Sequence, residues 1–482
     1  MRKNIKLVFA GFLVAILSAA GLSTGLAGKV NADSGLDSVC DGRVLGTSDE
    51  HFNRVIPTDD GGWLAVGASN SSVIDDQTNQ GGYDALIAKF DAKCDTQWTK
   101  LVGGSGVGDN FSNVAKIDGG YVAVGQFGAG ITAPSISGLE SAGSDVQSEA
   151  IKFDDFGNIA WGIKLDSDSN YALASNGSDQ FVVGDNESNN PFVTAYDNNG
   201  NQLWQKSYSG EFTQAIAYDG SGYVLAMLMQ VGGGPTGQDL ARAKIDSQGN
   251  LLWQKDSAGG IDDQVNLVAE AIATTPDGGF VMAGYANDTG LTHQFPNGNA
   301  ALLAKFDAGG NTQWIKTLVG AANVEYRGVA VDAAGNIEAV GDATGDISSL
   351  RITMYNNSAV GLALSYDESG ALGRVIWSYV QTGGSEHPST IYRGVSFRGE
   401  NFAIVGGSDS DATLNVWSVK LPAPATPGTN PVITPIAQPT TPKAPSTGSA
   451  DNNSTVIWPM VALGAGLIVA AAFGGRLIRR RS

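Results

Sequence analysis

The sequence predicts an all-β fold assembled from copies of one short unit. A strand–turn–strand segment that ends in Trp, typified by Ala304–Trp314, recurs along the chain. The 65 Gly residues and repeated Asp-Gly-Gly turns suit many short strands. Fixed local spacing between copies that lie at long, variable intervals indicates a repeat architecture. The Trp residues of the copies are Trp98, Trp161, Trp204, Trp253, Trp314 and Trp377.

Each copy has the same order of elements: an apolar strand, a tight turn, a strand ending in Gly, a variable loop and the Trp hairpin. Asp60, Asp118 and Asp277 each open an Asp-Gly-Gly turn, which tolerates the positive φ of hairpin turns. The seventh copy stops after its third strand, Asn415–Lys420, whereas Cys40–Gly46 is a spare fourth strand. The pattern predicts a seven-bladed β-propeller of four-stranded antiparallel blades, closed by the N-terminal strand.

The two ends of the chain differ in composition from the repeats. A basic start, an apolar stretch and the small residues of Val30-Asn-Ala32 predict a secretory signal peptide. A Pro- and Thr-rich linker and an apolar run of 20 residues, long enough for one transmembrane helix, follow the repeats. The predicted segments are 1–32 signal peptide, 33–421 propeller ectodomain, 422–447 linker, 456–475 transmembrane helix and 476–482 basic cytoplasmic tail.

The C-terminal segments resemble a known sorting signal. Ala444-Pro-Ser-Thr-Gly448, the apolar run and the Arg-rich tail are similar to the LPxTG-type signal of Gram-positive cell-wall surface proteins. The resemblance implies that sortase cuts between Thr447 and Gly448 and joins the protein to peptidoglycan. Ala444 stands where that family has Leu, so a permanent single-span membrane anchor is the alternative. Both interpretations predict an extracellular propeller.

The Trp hairpin also resembles the tryptophan-docking motif of quinoprotein-type propellers. Ala304, Gly310 and Trp314 take the first, seventh and eleventh places of that motif. The resemblance implies that each Trp wedges between adjacent blades, where a large aromatic ring buries much apolar surface. A quinone cofactor is not expected, because the sequence has no adjacent pair of cysteines.

Charge and motif content narrow the classes of function. Residues 33–447 contain 21 basic and 47 acidic residues, which disfavours nucleic acid as a partner. The three His residues are far apart, and no Gly-x-Ser-x-Gly nucleophile motif occurs. Asp166–Asn170 begins like a calcium loop, but Tyr171 stands where Gly is needed. We therefore expect no catalytic centre and no cofactor, with a loop Ca²⁺ as a minor alternative.

The face with the long loops is the expected recognition surface. Its loops are Ala68–Tyr83, Gln126–Ser148 and Tyr285–Asn299. On this face the innermost strands begin at the channel mouth, and neighbouring units place Arg there. The planar guanidinium of Arg binds carboxylates or phosphates through paired hydrogen bonds, and Tyr stacks on sugars. The alternative is that each Arg pairs with a nearby acidic residue. The candidate ligand-binding residues are Asn53, Arg54, Tyr326, Arg327, Tyr392 and Arg393.

The sequence thus predicts an exported binding or adhesion protein for a glycan or surface-protein ligand. An exported glycan lyase or hydrolase and a passive structural surface protein are the alternatives. The pairing of Cys40 and Cys94 stays open. An even count in an exported protein favours a disulfide, but aligning Cys40-Asp with Cys94-Asp puts both at matching places in adjacent outer strands, too far apart to bond.

Overall fold

The computed structural model describes the repeats and leaves the two ends of the chain aside. The described residues are 36–106, 108–128, 131, 136, 139, 146–165, 172–187, 190–210, 212–230, 238–255, 265–288, 298–350, 352, 359–378, 391–408 and 411–419. The predicted signal peptide, linker, sorting motif, transmembrane helix and basic tail all lie outside these ranges. Within them, no helix is long and apolar enough to cross a membrane.

The described chain is almost entirely β-strand. The first strands are β1 (Leu36–Leu45), β2 (Glu50–Pro57), β3 (Trp63–Ser69), β4 (Val73–Ile74), β5 (Gln77–Thr78), β6 (Asp84–Phe90), β7 (Thr96–Val102), β8 (Asn110–Ile117), β9 (Gly120–Gly128), β10 (Val146–Phe153) and β11 (Ile159–Lys164). Next come β12 (Ala172–Ser175), β13 (Gln180–Glu187), β14 (Asn190–Asp197), β15 (Gln202–Ser207), β16 (Phe212–Tyr218), β17 (Gly222–Gln230), β18 (Gln238–Asp246) and β19 (Leu251–Lys255). The last are β20 (Val265–Thr274), β21 (Phe280–Asp288), β22 (Ala300–Phe306), β23 (Thr312–Leu318), β24 (Val324–Val331), β25 (Ile337–Ala343), a 3₁₀ turn (Ser348–Leu350), β26 (Val360–Tyr366), β27 (Leu372–Ser378), β28 (Ile391–Arg398), β29 (Asn401–Ser408) and β30 (Asp411–Val419).

These strands form a propeller of antiparallel sheets, as the repeat pattern predicts. Five sheets have four strands each, in chain order: sheet B (β8–β11), sheet C (β12–β15), sheet D (β16–β19), sheet E (β20–β23) and sheet F (β24–β27). The middle strands are buried on both sides. In β3, β6, β22 and β25 every residue is buried, because neighbouring sheets cover both faces.

The prediction of seven separate blades needs correction, because the described part of the chain has five separate four-stranded sheets. The other eight propeller strands form one eight-stranded sheet, sheet A. Its first half-sheet is β2–β3–β6–β7 and its last half-sheet is β28–β29–β30–β1. They merge because the end of β29 pairs with the start of β2, Glu50 opposite Ser408 and His51 opposite Gly407.

The chain closes by pairing its first strand with its last, as predicted. Strand β1 runs antiparallel to β30, with Arg43 opposite Thr413 and Leu45 opposite Asp411. Arg43 also forms a salt bridge with Asp411, at 3.5 Å. This pairing gives β30 a neighbour on its outer side and so protects a sheet edge from other chains.

A Trp from one sheet docks on the next sheet at each described joint. The Trp204 ring lies against the β18–β19 turn of sheet D, and a Cβ at Gly249 would come within 2.7 Å of it. The Trp204 Nε1 donates to the Ser247 carbonyl at 3.0 Å. Turn glycines with φ between 74° and 81° receive the other rings. The pairs are Trp98 on Gly157, Trp161 on Gly200, Trp253 on Gly310 and Trp314 on Gly370. The Trp377 side chain is outside the described part.

Glycine is needed at these turns for two reasons that act together. The left-handed φ disfavours any residue with a Cβ, and the docked ring occupies the space that a Cβ would fill. The turn itself is stabilised by Asp: Asp246 Oδ1 accepts from the backbone N–H of Gln248 and Asn250. The hydrogen bond from the Asn250 side chain helps to hold the pKa of Asp246 below its usual value.

One joint is covalent, which settles the question of the two cysteines. Cys40 and Cys94 form a disulfide with Cα atoms 5.7 Å apart. In β1 Cys40 pairs with Val416, and Trp98 in β7 pairs with Lys89. Both outer strands have a bulge just before this residue, at Val39 in β1 and at Gln97 in β7, so Cys40 takes the place of a docking Trp.

Cys94, in turn, takes the place of a docking glycine. It lies in the β6–β7 turn with φ 65°, where the other turns have Gly. The disulfide therefore replaces the Trp-on-Gly contact where the last half-sheet meets the first. The expectation from matching Cys40-Asp to Cys94-Asp was wrong, because Cys40 lies within β1 in register with Trp98, whereas Cys94 lies in the turn before β7.

Candidate site at the channel mouth

A cavity of about 510 Å³ opens at the end of the channel where the innermost strands begin. This volume is within the range of small-molecule sites, about 300–1,000 Å³. The cavity lies on the long-loop face, between the end of β3, the start of β6 and the loop before β8. The lining residues are His51, Asn53, Arg54, Ala68, Tyr83, Gly108, Asp109, Asn110, Ser112, Gln214, Glu270, Arg327 and Arg393.

A β-bulge at one repeated position builds the floor and walls of this cavity. Six inner strands have an extra residue that has no partner in the second strand: the pairing skips from Phe52 to Arg54 in β2 and from Tyr326 to Gly328 in β24. A bulge bends its strand and re-aims the inserted side chain. All six inserted residues line the cavity: Asn53, Ser112, Gln214, Glu270, Arg327 and Arg393.

The structure brings Asn53, Arg54, Arg327 and Arg393 together, but it separates the two tyrosines from them. Tyr326 and Tyr392 are 1% and 2% exposed. Neighbouring residues of a strand face opposite sides, so a Tyr beside an inward-facing Arg points between the sheets. The Tyr326 hydroxyl is 2.6 Å from that of Tyr366. The prediction that these tyrosines stack on a sugar is wrong.

Arg327 is neutralised by acids of its own surroundings. Its Nε donates to Asp342 at 2.5 Å, and its Nη atoms lie 3.0 Å from Glu325 and 3.6 Å from Glu270. Burial lowers the pKa of Arg327, but the carboxylates of Asp342 and Glu270 outweigh it and the net shift is upward. For this residue the alternative of pairing with nearby acids holds, and its charge is not available to a ligand.

Arg54 ties three strands together across the channel. Its Nη1 donates to the carbonyls of Asn53 and Arg393 at 2.9 and 3.0 Å, and its Nη2 lies 3.4 Å from the Glu270 carbonyl. Arg54, Gln214 and Glu270 also line a smaller cavity of about 160 Å³. The Arg54 side chain therefore lies between the mouth cavity and this second cavity.

Small residues make room for Arg54. The residue after the bulge is Gly328 in β24 and Gly394 in β28. A Cβ at Gly394 would lie 2.8 Å from the Asn53 carbonyl oxygen and 2.9 Å from the Arg54 Cα. These glycines let the inner strands approach closely enough for backbone carbonyls to surround one guanidinium.

Arg393 differs from the other two arginines, because its charge lacks a close partner. Its Nη1 is 3.4 Å from Asn53 Oδ1, and its Nε is buried without a hydrogen-bond partner. No salt bridge joins it to any described carboxylate. Burial, reinforced by the charge of Arg327, lowers the pKa of Arg393.

The edge of the mouth cavity, its rim, holds a second cluster of polar residues, which the sequence did not indicate. The Tyr83 hydroxyl donates to Asp49 at 2.5 Å, and His51 Nδ1 lies 3.7 Å from the same carboxylate. The interaction with His51 contributes most to the lowered pKa of Asp49. Burial and the contact with Asp49 raise the pKa of Tyr83 to about 12. His51 lies in β2 and Tyr83 lies in the loop before β6, 32 positions further along, so no local pattern joins them.

Asp109 also lines the mouth cavity and was also missed from the sequence. It accepts hydrogen bonds from the N–H groups of Gly104 and Gly128, both at 2.7 Å. These contacts join the loop before β8 to the end of β9. Burial nevertheless raises the pKa of Asp109 to about 7.

The described residues include part of the regions where a bound metal ion and the long recognition loops are expected. Within the described ranges, no group of three or more His, Cys, Asp and Glu is arranged to hold a metal ion. The candidate calcium loop Asp166–Asn170 lies outside those ranges, as do most of Gln126–Ser148 and part of Tyr285–Asn299. Ala68–Tyr83 is described throughout and contains the small hairpin β4–β5.

Comparison with known proteins finds similarity in solved structures alone. No protein-family model matches the chain, and no curated protein sequence matches it. The WD40 domain of Neurospora crassa Pan2 is 12% identical and covers 82% of this chain and 98% of its own, with a TM-score of 0.44. The Dos1 propeller is 10% identical over 80% and 95% of the two chains, at 0.43. Chaetomium thermophilum Raptor is 8% identical over 80% of this chain and 30% of its own, at 0.47. At these values the propeller assignment stands on the sheet topology described above.

Proposed function

We propose that this protein is an exported surface protein that binds a small polar ligand in the mouth cavity. The observation that carries the proposal is the repeated bulge, which sends one side chain from each of six inner strands into one cavity. Bulges are common next to binding sites because they re-aim side chains. A rigid ring of sheets that presents such a cavity between loops suits recognition.

We further propose that the ring has seven repeating units. The two half-sheets of sheet A are each antiparallel and four-stranded, and β2 and β28 have the same bulge. The two residue pairs between β2 and β29 are few beside the full ladders within each half-sheet. Counting the half-sheets as two units gives seven with sheets B to F.

The proposed cellular location rests on the sequences at the two ends of the chain. Residues 1–32 suit a cleaved signal peptide, and residues 444–448 with the apolar run and basic tail suit sortase and peptidoglycan attachment. The disulfide agrees with an oxidising, extracellular location. Mass spectrometry of the mature protein from a Gram-positive host tests this: we expect a chain that ends at Thr447 joined to a peptidoglycan fragment. A chain that still contains residues 456–475 supports a membrane anchor instead.

The binding proposal is tested with a glycan and surface-protein array probed with the full-length protein. A Gln214→Trp variant fills the cavity from one bulge, and Gln202→Trp on the exposed outer strand β15 is the matched control. We expect the wild type and the control to bind the same ligands and Gln214→Trp to lose them. Equal binding by all three proteins would contradict a ligand site in the cavity.

The rim favours one second candidate, an exported enzyme that acts on glycans. His51 and Tyr83 share Asp49 at the cavity edge, and both are residue types that exchange protons in lyases and hydrolases. Array ligands that bind should be incubated with the wild type and with His51→Gln. New reducing ends or an unsaturated product with the wild type alone would establish an enzymatic function. Ligand that stays unchanged would support a binding function without catalysis.

A further inference from the structure

We propose that the ligand of the mouth cavity carries a single carboxylate and that Arg393 binds it. The inference rests on the proposed function and identifies the chemical class of ligand. A hydroxylated carboxylic acid of the uronic-acid type fits the groups that line the cavity.

The three arginines at the mouth differ in how their charges are compensated. Arg327 has three carboxylates around it, and Arg54 has three backbone carbonyls. Arg393 has one long hydrogen bond, to Asn53, and no salt bridge with a described carboxylate. Removing a cation from water is costly unless an anion or good acceptors replace the water. A bound carboxylate would compensate for this burial, because it matches the planar guanidinium and adds charge-assisted hydrogen bonds.

The surroundings favour one negative charge over two. Asp49, Glu270 and Asp342 are close enough to act on the charge of Arg393, although none forms a salt bridge with it. A phosphate monoester carries about −1.5 to −2 charge at neutral pH and would be repelled more strongly by these acids. A carboxylate brings one charge, which Arg393 balances.

The remaining lining residues indicate a hydroxylated body. Asn53, Asn110, Ser112 and Gln214 contribute amides and a hydroxyl to the cavity. Ser112 donates to Asn110 at 3.0 Å and Asn53 donates to the Phe111 carbonyl at 2.8 Å, so these two side chains are held in place. Neutral amides that are fixed by other contacts suit hydroxyl groups, which both donate and accept.

The test measures binding to the full-length protein by calorimetry, with matched pairs of probes. The acids are glucuronate, galacturonate and N-acetylneuraminate, each paired with its methyl ester, and glucose 6-phosphate is added as a dianion. We expect at least one acid to bind at least tenfold more tightly than its ester and than the phosphate. Arg393→Gln should abolish that preference. Arg43→Gln is the matched control, because Arg43 lies in the outermost strand, β1, and pairs there with Asp411 of β30.

Each outcome bears on the proposal. Equal affinity for an acid and its ester, tighter binding of the phosphate, no binding of any acid, or a preserved preference in Arg393→Gln would overturn it. Thermal unfolding curves for both variants show that a loss of binding is not a loss of fold; if Arg393→Gln fails to fold, Arg393→Lys replaces it and should weaken acid binding by a smaller factor. An array ligand that is lost in Gln214→Trp but carries no carboxylate would refute this inference and leave the proposed function intact.

Discussion

The disulfide at the closing joint allows a direct exchange of one kind of contact for another. Cys40 takes the place of a docking Trp, and Cys94 takes the place of the left-handed Gly that receives it. If the two contacts are equivalent, replacing both cysteines by the Trp and Gly of the other joints should restore a working joint. The perturbation is therefore the double variant Cys40→Trp/Cys94→Gly, compared with Cys40→Ala/Cys94→Gly.

The expected changes in the free energy of unfolding follow from the loop that the disulfide closes and from the area that a Trp side chain would bury. The disulfide closes a loop with a sequence separation of 54, for which the chain-entropy model gives about 4 kcal/mol of stabilisation. Gly at position 94 relieves about 1 kcal/mol of left-handed strain, so the Ala/Gly variant should lose about 3 kcal/mol. A Trp ring that buries about 100 Å² against the turn should return about 2 kcal/mol of this.

The assay is equilibrium urea unfolding of the three full-length proteins, followed by circular dichroism. We expect the order of stability to be wild type, then Trp/Gly, then Ala/Gly, and reduction of the wild type should bring it about 1 kcal/mol below Ala/Gly, because it keeps the left-handed Cys94. If Trp/Gly is no more stable than Ala/Gly, the equivalence of the joints is refuted. If the reduced wild type is as stable as the oxidised one, the disulfide does not hold the closing joint.

Three further predictions concern a docking turn, the Arg54 contacts in the channel and a buried carboxylate. Gly249→Ala should destabilise the protein by about 2–3 kcal/mol, since its Cβ would enter the Trp204 ring at a left-handed φ; an unchanged melting temperature would contradict Trp docking at that joint. Arg54→Met should cost about 2 kcal/mol, because buried carbonyls lose their donors; calorimetry that shows equal or higher stability would show that this guanidinium does not hold the strands. Glu149 is fully buried with both carboxylate oxygens unpartnered, and burial raises its pKa to about 8, so stability should fall as pH rises from 6 to 8.5. Glu149→Gln should flatten that pH dependence of the melting temperature, and a variant with the wild-type pH profile would rule out this residue as its source.

Much of the fold is local in origin and was therefore predictable. The turn Asp, the left-handed Gly and the Trp lie within eleven residues of each other, and their spacing identifies each hairpin. The spare strand at Cys40–Gly46 predicts closure because an incomplete last unit needs a fourth strand. The merger of the two half-sheets was not predictable, because the two residue pairs between β2 and β29 leave no trace in sequence spacing.

The site was predicted in part, and the failures have more than one cause. The sequence placed Arg327 and Arg393 at the mouth, but it did not separate them from the adjacent tyrosines, because the bulge that re-aims one residue has no clear sequence signature. The match of Cys40-Asp with Cys94-Asp misplaced Cys40 by four positions, because Cys40 lies in register with Trp98. His51, Tyr83 and Asp109 were missed because their proximity arises from the ring and from loop packing.

A crystal structure of the full-length protein soaked with the tightest-binding acid of the panel would show whether Arg393 binds the carboxylate of a ligand. We expect one ligand in the mouth cavity, with its carboxylate within hydrogen-bonding distance of the Arg393 guanidinium and its hydroxyls on Asn53 and Gln214. A ligand bound outside the cavity, or a protein carboxylate paired with Arg393 in the ligand's place, would contradict it.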